Sequence, residues 1–328
     1  MAEVAVETFV IPKRKKFAKK AKKAGFVISI ITYPLILFCI FYICVNFNSI
    51  LMAFQTINVK DERTFVGFQN FVTFWNGMFA SSNTKSEIRT AFTNSLIIYS
   101  ISLAICMPLY IFFSYLLFKK CFMHRTIRAI AMIPQIISGF VICMLFVNFI
   151  SGDSAPAMTI FRKLHIFVDQ NGDPYDLLYT RKYALGTTIF YSIWLSFGTN
   201  LIVYPNAMKE INPEVIESSR LDGVSTTLQD LRYIVLPLIF PTISTFLITG
   251  LAAIFSNGGS ILAFYSTYAP EYVINMGYYY NKLIITSGYN HSNYPVFAAG
   301  GLIMTAFVAP ATLLLRWCLE KFGPTTEA

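Results

Sequence analysis

Charge is scarce in this 328-residue chain. Only 13% of its residues are Asp, Glu, Lys or Arg, against roughly 25% in an ordinary soluble domain. That shortage, with 55% hydrophobic residues and a mean hydropathy of +0.56, excludes a water-soluble globular protein. Acidic side chains are the scarcer sign, 17 against 26 Lys and Arg, and none lies inside the long apolar runs. Intramembrane carboxylates mark proton relays and ion sites, so their absence argues against a carrier driven by a coupled ion. Histidine is rarer still. His124, His165 and His291 all fall between apolar runs, so no H-E-x-x-H helix exists. No G-x-x-x-x-G-K-[ST] loop is present to cradle nucleotide phosphates, and no G-x-S-x-G nucleophile elbow. Of the six cysteines, Cys39, Cys44, Cys106, Cys143 and Cys318 sit in or at the ends of apolar runs, and Cys121 follows a Lys-Lys pair. None is placed to form an extracellular disulfide.

What is present is a set of charge-poor runs, each about the 20 residues that a helix needs to cross a bilayer. Six spans are expected, at residues 25–47, 91–118, 127–150, 183–208, 233–255 and 294–315. Residues 64–83 are also uncharged, but Gly, Gln and Asn interrupt them and Phe and Trp enrich them. That mixture suits the membrane–water interface. Residues 265–280 are aromatic too, and Pro270 and Glu271 divide them. Prolines recur within the spans, at Pro34, Pro108, Pro134, Pro205, Pro237 and Pro241. Each removes a backbone donor and bends its helix, as helices shaped around a cavity require. The first run is too long for a cleaved signal peptide and lacks a small-x-small cleavage site.

Orientation follows from Lys and Arg. Residues 1–24 form a basic arm with eight of them, and the positive-inside rule places that arm in the cytoplasm against anionic lipid rather than nucleic acid. Six crossings return the C-terminus to the same side. This arrangement puts 17 Lys and Arg inside and nine outside, and it makes 209–232 a cytoplasmic loop. The rest of the chain, 25–328, reads as one transmembrane domain.

That loop contains "NPEVIESSRLDGV". Asn212 suits a helix N-cap and Pro213 its first turn. Glu214 and Glu217 lie near the positive end of the helix dipole, and Val215, Ile216, Leu221 and Val224 supply apolar anchors. Gly223 is expected to take a left-handed conformation that ends the helix, with Asp222 bonding locally to the same turn.

The run Glu217-Ser218-Ser219-Arg220-Leu221-Asp222-Gly223, followed by Leu236-Pro237 and Pro241, resembles the signature loop of ABC importer permeases. Ser218 and Ser219 stand where that family usually has alanine, and the stretch from Gly223 to Pro237 is one residue longer. "FVGFQNF" at 65–71, "FTNSLIIYS" at 92–100 and "IPQIISGFVICMLFVNFIS" at 133–151 resemble segments of the maltose-type carbohydrate branch, so the likeness covers nearly the whole chain. It implies an all-α membrane protein of six transmembrane helices with the type I ABC importer permease fold. Glu214, Glu217, Ser218, Ser219, Leu221, Asp222 and Gly223 would form a coupling helix that docks on a cytosolic ATPase.

The resemblance further implies a non-catalytic subunit in a bacterial plasma membrane, half of an alternating-access pathway for a sugar, with an oligosaccharide favoured. Its partners would be a second permease, two ATPase subunits carrying ATP and Mg, and an extracellular or periplasmic sugar-binding protein. This chain itself would bind no cofactor or metal. Sugar needs aromatic faces and polar groups near span centres, which makes Gln135, Asn148, Tyr191, Trp194, Asn200 and Asn257 the substrate-path candidates. Two rival readings are a permease for amino acids or peptides and a secondary transporter. The latter would be expected to show inverted repeats, and none is evident.

Overall fold

The computed structural model describes residues 13–58, 62–79, 87–152, 154–288 and 291–324; the arm's residues 1–12 and the last four lie outside them. Three helices are long and apolar enough to cross a membrane unaided: Gly25–Ala53, Glu87–Phe118 and Tyr294–Phe322. Two further crossings are bent pairs, His124–Ile136 with Gly139–Ile150 at 103°, and Thr227–Leu238 with Phe240–Ala252 at 68°. The sixth segment, Ala184–Lys209, has 26 residues. At 1.5 Å per residue it is ~39 Å long, enough for a hydrocarbon core of about 30 Å. Besides these helices, the described residues contain a two-stranded antiparallel hairpin, Gln55–Ile57 against Arg63–Phe65, on an otherwise helical frame.

The bends fall in the two expected spans, 127–150 and 233–255, that carry Pro134, Pro237 and Pro241. Ile137 and Ser138 both leave the helical region, with ψ of 142° and 132°, so the chain turns before Gly139. Ile239 takes φ −91° and ψ 4°, just ahead of Pro241, which offers no N–H to continue the ladder. Two π-helical turns also precede prolines: Ser102–Cys106 before Pro108, and Asp230–Val235 before Pro237. A π turn accommodates one extra residue within a helix.

Two cores stack along the bundle. One gathers Tyr191, Phe264, Val273, Ile274, Met276 and Tyr278; the other gathers Tyr115, Tyr204, Met208, Val235 and Ile239. Ala184–Lys209, here called the central helix, contributes to both, as does Glu87–Phe118. By contrast, the most apolar window of Gly25–Ala53 buries nothing within this chain. Segments singled out in the sequence serve as clamps at the outer end. Buried Asn70 donates to the Ala53 and Gln55 carbonyls, at 2.9 and 2.7 Å. Asn94 donates to the carbonyls of Tyr272 and Ile274, at 3.1 and 2.8 Å, and Ser95 accepts the Met276 N–H at 3.0 Å.

The central helix meets His124–Ile136 at Gly198. A Cβ there would lie 2.4 Å from the Ala131 carbonyl oxygen, a backbone atom that cannot swing aside. Small residues permit such close helix approach in membranes. Gly198→Ala is therefore expected to destabilise the bundle by about 1–3 kcal/mol, the usual cost of overpacking. A lower midpoint of thermal unfolding in detergent checks this; an unchanged midpoint would show that the two helices separate freely.

Candidate functional site: an uncharged cavity and an exposed capped helix

An open cavity of ≈ 490 Å³ lies between Glu87–Phe118, Ala184–Lys209 and Phe240–Ala252. Its wall on the central helix is a stripe at four-residue spacing: Thr188, Ser192, Ser196, Asn200 and Tyr204. The facing wall carries Ser95, Tyr99, Ser102, Cys106 and Tyr110, again near helical period. Asn257, Ser260 and Asn275 line it as well. Every lining residue is uncharged. The stripe can exist in an apolar helix because its donors turn back on the backbone: Ser192 donates to Thr188 O at 2.9 Å, Ser196 to Ser192 O at 2.7 Å, and Asn200 to Ser196 O at 2.8 Å. Such local bonds remove most of the cost of a polar group in a membrane. They leave hydroxyl and amide oxygens able to accept from a ligand. This pattern, rather than any single large side chain, is what builds the cavity.

Of the six path candidates, Asn200 and Asn257 line this cavity. Asn257 also braces the loop beneath it, accepting the Gly259 N–H on its side chain at 2.9 Å and Asn275 Nδ2 on its carbonyl at 3.1 Å. Gln135, Asn148, Tyr191 and Trp194 lie elsewhere. Gln135 donates to Leu195 O at 3.1 Å and Thr199 Oγ1 at 2.5 Å, joining the bent third span to the central helix. Tyr191 is 1% exposed and packs against Phe146 and Phe264, each ring 4.8 Å away. Trp194 stacks on the outer side of Phe146 at 6.2 Å, and Asn148 is exposed on the second half of the bent span.

The loop at 209–232 is built as its residues dictate. Pro213–Leu221 is a helix whose cap, Asn212 Oδ1, accepts the Glu214 N–H at 3.0 Å. Val224 N–H reaches Ser219 O at 3.1 Å and Gly223 N–H reaches Arg220 O at 3.3 Å, the paired bonds of a Schellman motif. Gly223 has φ +93°. The backbone alone closes this turn: the Asp222 side chain is exposed and adds no hydrogen bond to it, contrary to expectation, because the N–H groups of Gly223 and Val224 that it could accept from already go to the Arg220 and Ser219 carbonyls. Thr226 then caps the next helix through a reciprocal capping box with Gln229.

Within Pro213–Leu221 only Ser219 is buried, and its hydroxyl donates to Ile216 O at 2.9 Å. Glu214, Glu217 and Ser218 are exposed, Val215 is 40% exposed and Leu221 90%.

One constellation escaped the sequence altogether. Asp230, 8% exposed, accepts the Tyr115 hydroxyl at 2.6 Å and the Lys119 ammonium at 2.6 Å. Tyr115 Oη also lies 3.1 Å from Thr227 O. The partners are more than a hundred residues apart, so no local pattern announces them.

Among the described residues no cluster of His, Cys, Asp and Glu could hold a metal. The chain belongs to the family of binding-protein-dependent transport system inner membrane components, whose model matches residues 111–324. It is 27% identical over 241 residues to a probable starch degradation products transport system permease of Thermoanaerobacterium thermosulfurigenes, covering 70% of this chain and 75% of that one. It is 22% identical over 292 residues to a polygalacturonan/rhamnogalacturonan transport system permease of Bacillus subtilis, covering 87% and 86%. A chain in the crystal structure of a bacterial ABC transporter involved in alginate import superposes with a TM-score of 0.75 at 22% identity, covering 93% of this chain and 99% of that one. That likeness bears on the fold alone, which is that of a type I ABC importer permease.

Proposed function

We propose that this chain is the permease subunit of an ATP-driven ABC importer and forms half of the translocation path for a neutral oligosaccharide. The observation that carries this reading is the cavity: hydroxyls, amides and tyrosine rings stand in rows among its apolar lining residues, and no charged side chain lines it. Hydroxyls and amides exchange hydrogen bonds with sugar hydroxyls, and tyrosine offers both a ring face and a phenol. A carboxylated sugar in the same cavity would lose hydration with no cation from this subunit to compensate. The sugar-transport names of the relatives support the class and disfavour amino acids and peptides.

Alternating access then works as follows. A second permease subunit completes the cavity. Two cytosolic ATPases, which bind the ATP and Mg, engage the helix Pro213–Leu221 of this chain and its counterpart. Their closure opens the path toward an external sugar-binding protein, and hydrolysis resets it. This chain contributes docking, shape and hydrogen bonds, and makes or breaks no covalent bond. The basic arm at 1–24 lies on the cytoplasmic leaflet and 25–328 is a single permease domain, with both termini inside.

The test is stimulation of ATPase activity in the purified complex with its binding protein, across maltotetraose, galactotetraose and xylotetraose and across oligogalacturonates of matching length. Neutral sugars are expected to stimulate and uronates are not; stimulation by uronates alone would overturn the neutral assignment. Orientation has its own check. A single cysteine at Asn171, in a cysteine-free background, is expected to react with an impermeant thiol reagent added outside intact cells, and one at Ser225 is not. The reverse pattern would overturn the topology.

A further inference from the structure

The segment that follows the helix that would meet the ATPase is joined to the helix that walls the cavity by an ion pair between buried Asp230 and the partly exposed Lys119. We infer that Tyr115, Lys119 and Asp230 form a strut through which displacement of the coupling loop moves the second span. The inference rests on the coupling role proposed for Pro213–Leu221.

Tyr115 and Lys119 stand one turn apart at the cytoplasmic end of Glu87–Phe118 and its cap, and Lys119 N–H bonds back to Tyr115 O at 2.9 Å. Their polar ends converge on one oxygen of Asp230, each at 2.6 Å. Asp230 opens the π turn that follows the Thr226-capped helix, which itself begins three residues after Gly223. Tyr115 therefore touches both ends of that short helix, the Thr227 carbonyl and the Asp230 carboxylate.

The environment makes the link stiff. Asp230 is 8% exposed, and Leu231 and Val235 beside it are buried with Tyr115, Tyr204 and Met208 in one core. Charge-assisted bonds at this distance are short and directional, and a buried carboxylate that lost both partners would be left uncompensated. The loop cannot move relative to Tyr115 without that loss, so the two move together. The same helix that ends in Tyr115 presents Ser102, Cys106 and Tyr110 to the cavity. Motion delivered at its cytoplasmic end thus reaches the cavity wall along one continuous helix. By comparison, the side-chain hydrogen bonds of the coupling helix itself are local.

A positioning role differs from a merely stabilising one in what replaces it. Lys119→Met with Asp230→Leu substitutes an apolar pair, a type of exchange that commonly keeps or raises stability, while deleting the directional link. Asp230→Asn alone retains an acceptor for Tyr115 and removes the ion pair. Both variants are placed in the complete complex, on a chain whose only cysteine is a Ser102→Cys reporter. Two quantities are read: co-purification of the ATPase, and the maleimide labelling rate of the reporter with and without ADP–vanadate–Mg.

With the strut intact, nucleotide trapping is expected to change the labelling rate at least about fivefold, the lower range of an allosteric coupling. In the double variant the ATPase is expected to remain bound while that change falls below about 1.5-fold, with Asp230→Asn intermediate. The inference is overturned if the double variant keeps the full nucleotide-dependent change, or if both variants shed the ATPase and so behave as a structural anchor. If the intact strut shows no change on trapping, the alternating-access reading itself fails, which is a separate outcome.

Discussion

Replacing Gly223 by valine is expected to leave the permease at normal abundance in the membrane while stripping it of its ATPase and abolishing uptake. The cost is confined to the backbone. Gly223 holds φ +93°, and a Cβ added there meets nothing within 4 Å, so no neighbour is displaced. A side-chain-bearing residue in the left-handed region costs on the order of 1–2 kcal/mol, more for a β-branched one. The chain escapes that cost by abandoning the Schellman turn, which frees the Ser219 and Arg220 carbonyls and redirects the helix. Leu221, held out in solvent beside the native exit, is then redirected. The spans carry their own hydrophobic cores and insert regardless. Membrane abundance, ATPase co-purification and sugar uptake are measured together. A Gly223→Val permease that keeps its ATPase and transports normally would show that 214–224 is not the coupling element.

The second large effect is expected from Ser192→Trp, which attacks the path and spares the coupling. Ser192 sits mid-stripe on the central helix with Thr188 and Ser196 one turn to either side. An indole there brings roughly 150–250 Å² of surface into a cavity of ≈ 490 Å³. Overpacking costs about 1–3 kcal/mol, and any of it felt only with sugar in the path raises the transport barrier, at tenfold in rate per ~1.4 kcal/mol. Uptake is expected to fall roughly tenfold or more on that scale. ATPase attachment should be unchanged, because the substitution is remote from Pro213–Leu221. Wild-type uptake by this variant would move the sugar path away from the central helix. Together the two variants separate a permease that is open but undriven from one that is driven but blocked.

The coupling loop was legible because its instructions are local. Asn212, Pro213 and Gly223 fix a helix start and stop within a dozen residues, and each bond that realises them spans five residues or fewer. The cavity was harder to read. Attention goes naturally to large polar or aromatic groups, yet Gln135 and Tyr191 are consumed by helix packing. Small hydroxyls, whose donors are satisfied one turn back, make the wall. The four-residue recurrence of Thr188, Ser192, Ser196, Asn200 and Tyr204 was a usable signal, but it reads equally well as helix–helix contact until the facing helix is known.

By itself, then, the sequence determined the quantities that depend on solvent and on near neighbours. Hydropathy set the number of membrane segments, since unpaired backbone must be satisfied within each helix in lipid. Lys and Arg placement gave the expected orientation, and capping residues placed the exposed helix with its glycine exit. Tertiary structure alone decided what depends on distant partners. Prolines announced bends, but the 103° and 68° angles came from which helices lay alongside. Asp222 and Asp230 are eight residues apart and alike in chemistry; one stays in water, while the other is buried because Tyr115 and Lys119 arrive from another span to hold its charge. A carboxylate's role follows from the groups that surround it, and only the folded bundle brings those groups together.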